Sequence, residues 1–394
     1  MPKPRELYLR RGAERRLCAG HLWVYSNEVD SARSALTDFA VGDWVLVRGS
    51  NGQLLGSAYM EPHNLICARV FAAGREASLE ELLPGALSTA LAGRELAFEL
   101  PFYRLVYGGS DNLPGLVVDR FGDYLVVQLN NAGIERYESQ IISALVDLLQ
   151  PAGILLRADS RKRREQGLES RVEVVFGEVP EQVELQENGV VFQAPVLSGQ
   201  KTGWFYDHRM ARARLAPYVA GRSVLDVYSY IGGWGVQAAA FGASSVCCLD
   251  SSALALDGVK ANARLNNLSQ VSTLQGSAAE SMEALAAQGQ HFELVILDPP
   301  AFIQRRKDIK KGIKAYRRIN ELGLKLLAPG GVLVSASCSM HLTRTDLIAA
   351  VQSAAVRVGK DLRLIEQGAQ GPDHPIHPAI PETEYLKALF FRAL

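Results

Sequence analysis

SVLDVYSYIGGWG, residues 223–235, is a short apolar strand that ends on Asp226 and Val227 and breaks into a glycine-bearing turn, with helix-forming VQAAAF behind it. Strand, glycine turn and helix in that order open a layered α/β sheet, whose ligands bind beyond the carboxyl ends of the strands at the switch point. Four further apolar runs follow, SVCCLD (245–250), QVSTLQ (270–275), ELVILD (293–298) and GVLVSAS (331–337), with helical stretches between them. The alternation predicts a parallel sheet covered on both faces from about residue 195 onward. RLIEQGA and LKALFFRAL supply two last strands.

Upstream the pattern differs. Residues 1–72 hold short β segments, VGDWVLVRG (41–49) and GQLLGSAYM (52–60) around Asn51 and then NLICARVFA (64–72), which predict a small β-barrel. Residues 1–16 carry six basic groups against Glu6 and Glu14, with Trp23 and Tyr25 just beyond. Cations that neutralise phosphates beside rings that stack on bases suit a nucleic acid surface, and a solvated strand edge over core aromatics explains them equally well. Residues 73–194 read as a compact α+β domain. It has an Ala/Leu/Glu-rich helix, two strands around the Arg120 to Asp123 turn, the helix ESQIISALVDLLQ, the strand GILLRADS and an Asn188-Gly189 hairpin.

A chain of 394 residues accommodates three such domains. Its 42 basic and 42 acidic residues cancel, so only local clusters can argue for a polyanionic partner. Five cysteines without a Cys-x-x-Cys pair predict neither a disulfide framework nor a zinc ribbon, and no metal is expected. The charged N-terminus and the lack of a long apolar run predict a cytoplasmic protein that is neither exported nor inserted in a membrane.

The glycines after Asp226 do not spell G-x-G-x-x-G, and no G-x-x-x-x-G-K-[ST] occurs, so a cofactor without a pyrophosphate is expected. Asp250 closes the second strand 250 − 232 = 18 residues past Gly232, the distance at which a carboxylate accepts the hydroxyls of an adenosine ribose. S-adenosylmethionine, an adenosine with a cationic sulfonium, fits an acidic, glycine-lined pocket. The fourth strand ends in Asp298-Pro299-Pro300-Ala301-Phe302, a rigid turn suited to gripping a flat base by its polar edge with Phe302 against its face. The fifth ends in Ser335-Ala336-Ser337-Cys338-Ser339, next to it in the expected sheet. Cytosine C5 is a poor nucleophile, and a thiolate added at C6 makes it reactive, with a carboxyl group at the N3/N4 edge stabilising the adduct. Cys338 is the candidate nucleophile and Asp298 the candidate carboxyl. An inert strand-end cysteine is the commoner fate of such a residue. Between the two lies RRKDIKKGIKAYRR (305–318), whose eight cations, Arg305, Arg306, Lys310, Lys311 and Lys314 among them, face only Asp308. Its apolar residues keep a helical spacing, so the charge can form a phosphate-binding rim.

Taken together, these residues resemble the bacterial class I S-adenosylmethionine-dependent large-subunit (23S) ribosomal RNA methyltransferases of the 5-methylcytosine type. HLWVYSNEV looks like the opening of that family's PUA domain and GGSDNLPGLVVDRFGDYLVVQL like its central domain; QKTGWFYDHR, DVYSYIGGWG, LDPPAF and SASCS follow in the family's order. The resemblance implies a PUA-type β-barrel (1–72), a central α+β domain (73–194) and a Rossmann-like methyltransferase domain (195–394). It implies cofactor contacts from Lys201, Thr202, Gly203 and Phe205, from Asp226 and the turn carrying Tyr228, Ser229, Gly232 and Gly233, and from Asp250, Ser251 and Ser277. It also implies Cys338 as nucleophile and large-subunit ribosomal RNA as partner; a homodimer is one assembly open to the chain, and the sequence does not choose the oligomeric state. Three positions depart from the family. Ser277 stands where an aspartate meets the adenine amine, Ala301 replaces a lysine and His208 replaces a glutamine. Two other readings stay open: methylation of guanine or of an exocyclic amine, where Cys338 is idle, and a non-catalytic RNA-binding assembly factor.

Overall fold

The structure, a computed structural model, describes residues 3–394, leaving aside the side chains of Arg161 and Lys162. The basic run from Arg161 to Arg164 therefore lies partly outside the described residues. Nineteen strands occur among the described residues. They are β1 (Arg5–Tyr8), β2 (Trp23–Tyr25), β3 (Trp44–Arg48), β4 (Leu54–Met60), β5 (Ile66–Ala73), β6 (Phe102–Tyr107), β7 (Leu116–Phe121), β8 (Tyr124–Leu129), β9 (Gly153–Ala158), β10 (Arg171–Gly177), β11 (Val183–Glu187), β12 (Val190–Ala194), β13 (Ser223–Val227), β14 (Ser245–Asp250), β15 (Val271–Gln275), β16 (Phe292–Leu297), β17 (Leu327–Ser337), β18 (Leu362–Gly368) and β19 (Lys387–Ala393). They fall into two compact units. No helix among the described residues is long and apolar enough to cross a membrane.

The first unit comprises the chain up to Val183 with Pro195–Trp204 and Pro372–Thr383. Its first sheet runs β1-β3-β4-β5-β2 over a core that includes Leu7, Val24, Val45, Val47 and Met60. The edge strands β1 and β2 escape a pattern reading because they are four and three residues long. The aromatics of this sheet do not offer bare faces. Arg33 lies 3.4 Å over the Tyr8 ring, and Arg16 and Arg5 lie 4.5 Å over Tyr25 and Phe39. Each of these cations covers one face of its ring.

The second sheet runs β10-β9-β8-β7-β6. Helix Leu79–Ala97 starts from a capping box in which Ser78 Oγ accepts from Glu81 N and Glu81 returns the bond to Ser78 N, at 3.2 and 3.0 Å. Helix Glu138–Leu149 crosses from β8 to β9, which makes that pair parallel. β10 has no counterpart in the sequence reading. Its apolar residues Val172, Val174 and Phe176 are exposed at the sheet edge, as is Glu173 between them, so the strand shows no burial alternation.

The second unit holds the hairpin from Glu184 on and the seven-stranded sheet β15-β14-β13-β16-β17-β19-β18. β13 to β17 are parallel and β19 is antiparallel to both neighbours. Strand order reverses at β13, which puts the switch point at the turn singled out above. Leu225, Val227, Val295, Leu297 and Leu333 are fully buried in the shared core. The hairpin turns at Asn188 and Gly189, φ +53° and +80°, the left-handed pair a tight two-residue turn requires.

The boundary read at 194/195 differs from the contacts, since β11–β12 clusters with the second unit and Pro195–Trp204 with the first. The cause is polar. Buried Glu187 accepts from Arg212 at 2.6 and 3.0 Å and from Gln237 at 2.8 Å, while Thr202 Oγ donates to buried Asp119 at 2.5 Å. Glu187→Ala would strand Arg212, itself 3% exposed, and is expected to destabilise the second unit by about 3–5 kcal/mol in urea unfolding.

Candidate active site

β13 delivers Asp226 into a fully buried position, where Oδ2 accepts from Gly235 N at 2.8 Å. That bond folds the chain back on itself across eight residues. Tyr228, Tyr230 and Gly232 take φ of +68°, +49° and +89° to complete the turn. Gly235 has no alternative, since a Cβ there would meet Cys248 Sγ at 2.4 Å and Asp226 Oδ2 at 3.0 Å. Asp226 Oδ1 is buried with no hydrogen-bond partner, and burial pushes the carboxyl up to about 7.

Asp250, at the end of β14, accepts from Tyr230 N and Ser252 N, both at 2.9 Å. The half-buried carboxylate thus shapes the turn, and its remaining lone pairs can take hydroxyl donors. Ser229 is buried on the turn, Ser251 is exposed beside Asp250, and Ser277 starts helix Ala278–Ala287 from the end of β15. The Phe205 ring meets Tyr230 edge-on at 5.6 Å, which brings a residue from before the sheet to the turn. Lys201, Thr202 and Gly203 belong to the first unit. There Thr202 is buried with its hydroxyl committed to Asp119, so that side chain shapes its loop rather than offering an open donor.

Asp298 follows β16. His208 Nε2 lies 3.2 Å from Oδ1, and Trp234 Nε1 donates to Oδ2 at 3.1 Å. The carboxylate expected to meet a base edge is therefore held at both oxygens by this chain. Burial lowers the His208 pKa, but the charge and hydrogen bond of Asp298 outweigh it, and the imidazole ends above its ordinary value. The departure from glutamine at 208 thus adds a titrating partner. The sequence flagged that position, but nothing in it showed that Trp234 and His208 converge on Asp298.

The parallel register pairs Leu297 with Ser335, so Asp298 and Cys338 leave adjacent strands with an offset of two residues. Cys338 is half-buried. Around it Tyr316 OH takes a hydrogen bond from Ser337 Oγ and shares one with Ser339 Oγ, both at 2.8 Å; Ser339 Oγ also accepts Ile303 N. Tyr316 belongs to the apolar spacing of the basic segment, and its hydroxyl is the centre of this network. Phe302 rests on the Tyr316 ring at 4.9 Å, tilted by 56°, just after the Pro299-Pro300 turn. Arg305, Arg306, Lys310, Lys311 and Lys314 are exposed before and along helix Ile309–Lys325, while Ile319 and Tyr316 are buried. Arg317 and Arg318 are less available than the sequence suggests, because Glu321 pairs with both and Glu283 with Arg318.

A sequence model described as S-adenosylmethionine-dependent methyltransferase matches residues 136–392, and a PUA-like domain matches residues 7–73. Among similar proteins, the ribosomal RNA large subunit methyltransferase I of Aliivibrio fischeri is 34% identical over 98% of this chain and 99% of its own. The proteins of that name from Pseudoalteromonas atlantica and Vibrio cholerae are each 33% identical, over 97% and 98% of this chain. A candidate SAM-dependent methyltransferase from Streptococcus mutans superposes with a TM-score of 0.83 at 19% identity, over 98% of this chain and 100% of its own. A candidate methyltransferase solved with SAH superposes over the same shares with 0.85, also at 19%. These two likenesses establish the fold.

The raised carboxyl makes a signed prediction. Between pH 4 and 7 folded Asp226 holds a proton that the unfolded chain releases, so its contribution to stability falls as pH rises through that window and levels off above it. Asp226→Asn removes this slope. Relative to the parent, the variant should gain roughly 2–3 kcal/mol between pH 5 and pH 8 in urea unfolding.

Proposed function

Because the chain belongs to the S-adenosylmethionine-dependent methyltransferase family, we propose that it forms 5-methylcytosine in large-subunit ribosomal RNA with Cys338 as the nucleophile. The observation that carries this reading is a cysteine at the end of β17 beside the Asp298-Pro299-Pro300 turn after β16. The names of the similar large-subunit ribosomal RNA methyltransferases support the choice of RNA. The site fits the cofactor. Gly232 and Gly235 let the turn pack tightly on Val236, Val259 and Cys248, where a Cβ would collide, Asp250 has lone pairs left, and Asp226 Oδ1 is an unpartnered acceptor behind the turn.

When bound, S-adenosylmethionine supplies an electrophilic methyl on a cationic sulfonium. The turn from Tyr228 to Gly235, with Asp250 and Ser277, would hold its adenosine, and Phe205 would cover it. Cys338 Sγ adds to cytosine C6 and breaks the C5–C6 double bond, which makes C5 nucleophilic. Asp298, kept oriented by His208 and Trp234, meets the N3/N4 edge of the base, and protonated His208 holds the proton that balances the charge there. Once C5 carries the methyl that the cofactor would supply, loss of the C5 proton to solvent restores the double bond and expels the thiolate. Phe302 and Pro299 would bound the base, and the exposed cations of the Arg305 to Lys314 segment would take flanking phosphates. Within this proposal residues 1–72 bind RNA away from the target, residues 73–194 connect, and residues 195–394 carry the chemistry, in a cytoplasmic homodimer.

Cys338→Ala should abolish methyl transfer to ribosomal RNA while leaving SAH binding intact by calorimetry. RNA carrying 5-fluorocytidine should become covalently attached to the parent protein, because fluorine blocks the last deprotonation. Full activity in the alanine variant would instead assign the reaction to guanine or an exocyclic amine. SAH binding with no methyl transfer by the parent would leave an assembly factor.

Replacing Lys310, Lys311 and Lys314 together with Gln removes three phosphate contacts. RNA affinity should fall, and the slope of log affinity against log salt should flatten by about 2, since each contact on a single strand contributes about 0.7. Titrations at several salt concentrations read this. An unchanged slope would reduce the segment to a solvated helix face.

A further inference from the structure

The residue that starts β19 is a lysine, and it lies inside the protein. Lys387 pairs with Ser337 across the antiparallel β17–β19 ladder, one residue from Cys338, and is 6% exposed. Its Nζ donates to Ser339 O at 2.8 Å and to Leu342 O at 2.7 Å. Among the described residues no carboxylate lies within 4 Å of it. The charged groups that act on it are Cys338 first, then Glu384 and Arg344.

Burying an ammonium costs several kcal/mol unless an opposite charge repays it. Two carbonyl dipoles account for a clamp on the Ser339 to Leu342 turn, and a neutral donor of similar length would serve that purpose. They leave the charge itself unexplained. Of the groups able to supply a counter-charge, Cys338, which follows the ladder partner Ser337, acts on it most strongly, ahead of Glu384. Tyr316 fixes the same segment through Ser337 and Ser339, so the turn that carries the thiol is held by both the hydroxyl network and the lysine.

Building on the cytosine-C5 reading, we propose that Lys387 is a positioning residue that holds Cys338 in its thiolate form as well as fixing the turn that carries it. The pair forms when the Cys338 proton passes to a neutral Lys387 amine or to solvent, leaving Sγ anionic and Nζ with three protons. Lys387 then keeps its protons through the cycle, because Sγ enters the adduct as a thiolate and leaves as one. In the adduct Sγ is a neutral thioether and the ammonium loses its counter-charge, which favours expulsion of the thiolate. The arrangement gives up some nucleophilicity for a better leaving group, since thiol reactivity falls only in part as the thiol pKa falls. Burial pushes Lys387 down to about 8, so the pair holds around neutral pH and dissolves as the amine deprotonates.

Alkylation of Cys338 by iodoacetamide, followed on its own peptide by mass spectrometry as a function of pH and without RNA, tests this. The parent should alkylate with a midpoint below the ordinary thiol value of about 8.5. In Lys387→Met the midpoint should rise by at least one unit, cutting the rate at pH 7 about tenfold, while Lys387→Arg should stay near the parent. SAH calorimetry checks that each variant is folded. Should the methionine variant not fold, the parent and arginine profiles decide. A parent midpoint at or above 8.5, or an unchanged midpoint in a folded methionine variant, overturns the proposal. An ordinary Cys338 midpoint together with an inactive Cys338→Ala would remove the Lys387 role and leave the nucleophile reading standing.

Discussion

A single hydrogen bond from Gly235 N to a fully buried Asp226 organises the carboxyl end of the central sheet. The helix after β13 has to start within reach of that carboxylate, so the eight residues between must loop outward and return. Asp250 then captures Tyr230 N, and Asn262 captures Ile231 O at 3.0 Å. Two tyrosines accept left-handed backbone angles that side chains usually avoid, at a cost of order 1–3 kcal/mol each, which only a fixed frame on both sides can sustain. The turn between β13 and the helix behind it is therefore fixed by this chain's own bonds.

The second half of the site depends on another fixed segment. β16 and β17 run in parallel register and release Asp298 and Cys338 from neighbouring ends. Each residue is then held by side chains from elsewhere: His208 and Trp234 for the carboxylate, Tyr316 and Lys387 for the cysteine turn. Rigid strands set the approximate positions, and these four residues set the final ones.

What a reader of the sequence could and could not see follows from that division. β13, β14, β16 and β17 were legible because strands with buried centres are apolar runs closed by turn residues. The glycine turn and Asp298-Pro299-Pro300 were legible because backbone constraints leave a local signature. β1 and β2 were too short to show a period, and β10 is exposed at an edge without burial alternation. The resemblance makes Thr202 a cofactor contact, and no local pattern shows that its hydroxyl is held by Asp119, 83 positions away in the chain. Likewise Trp234 and Asp298 are 64 apart, and no local pattern reports such pairings.

The assignment of Pro195–Trp204 and Pro372–Thr383 to the first unit bears on how the molecule is made. A ribosome releases the chain in order, so the first unit cannot acquire its last segment until β13 through β18 have all been synthesised. Neither unit is a contiguous stretch that could be cut out at one point, and a fragment beginning at residue 195 would carry two segments whose packing partners had been left behind. The two halves are tied together in assembly order, and the N-terminal half must wait, incompletely packed, while the catalytic sheet is built.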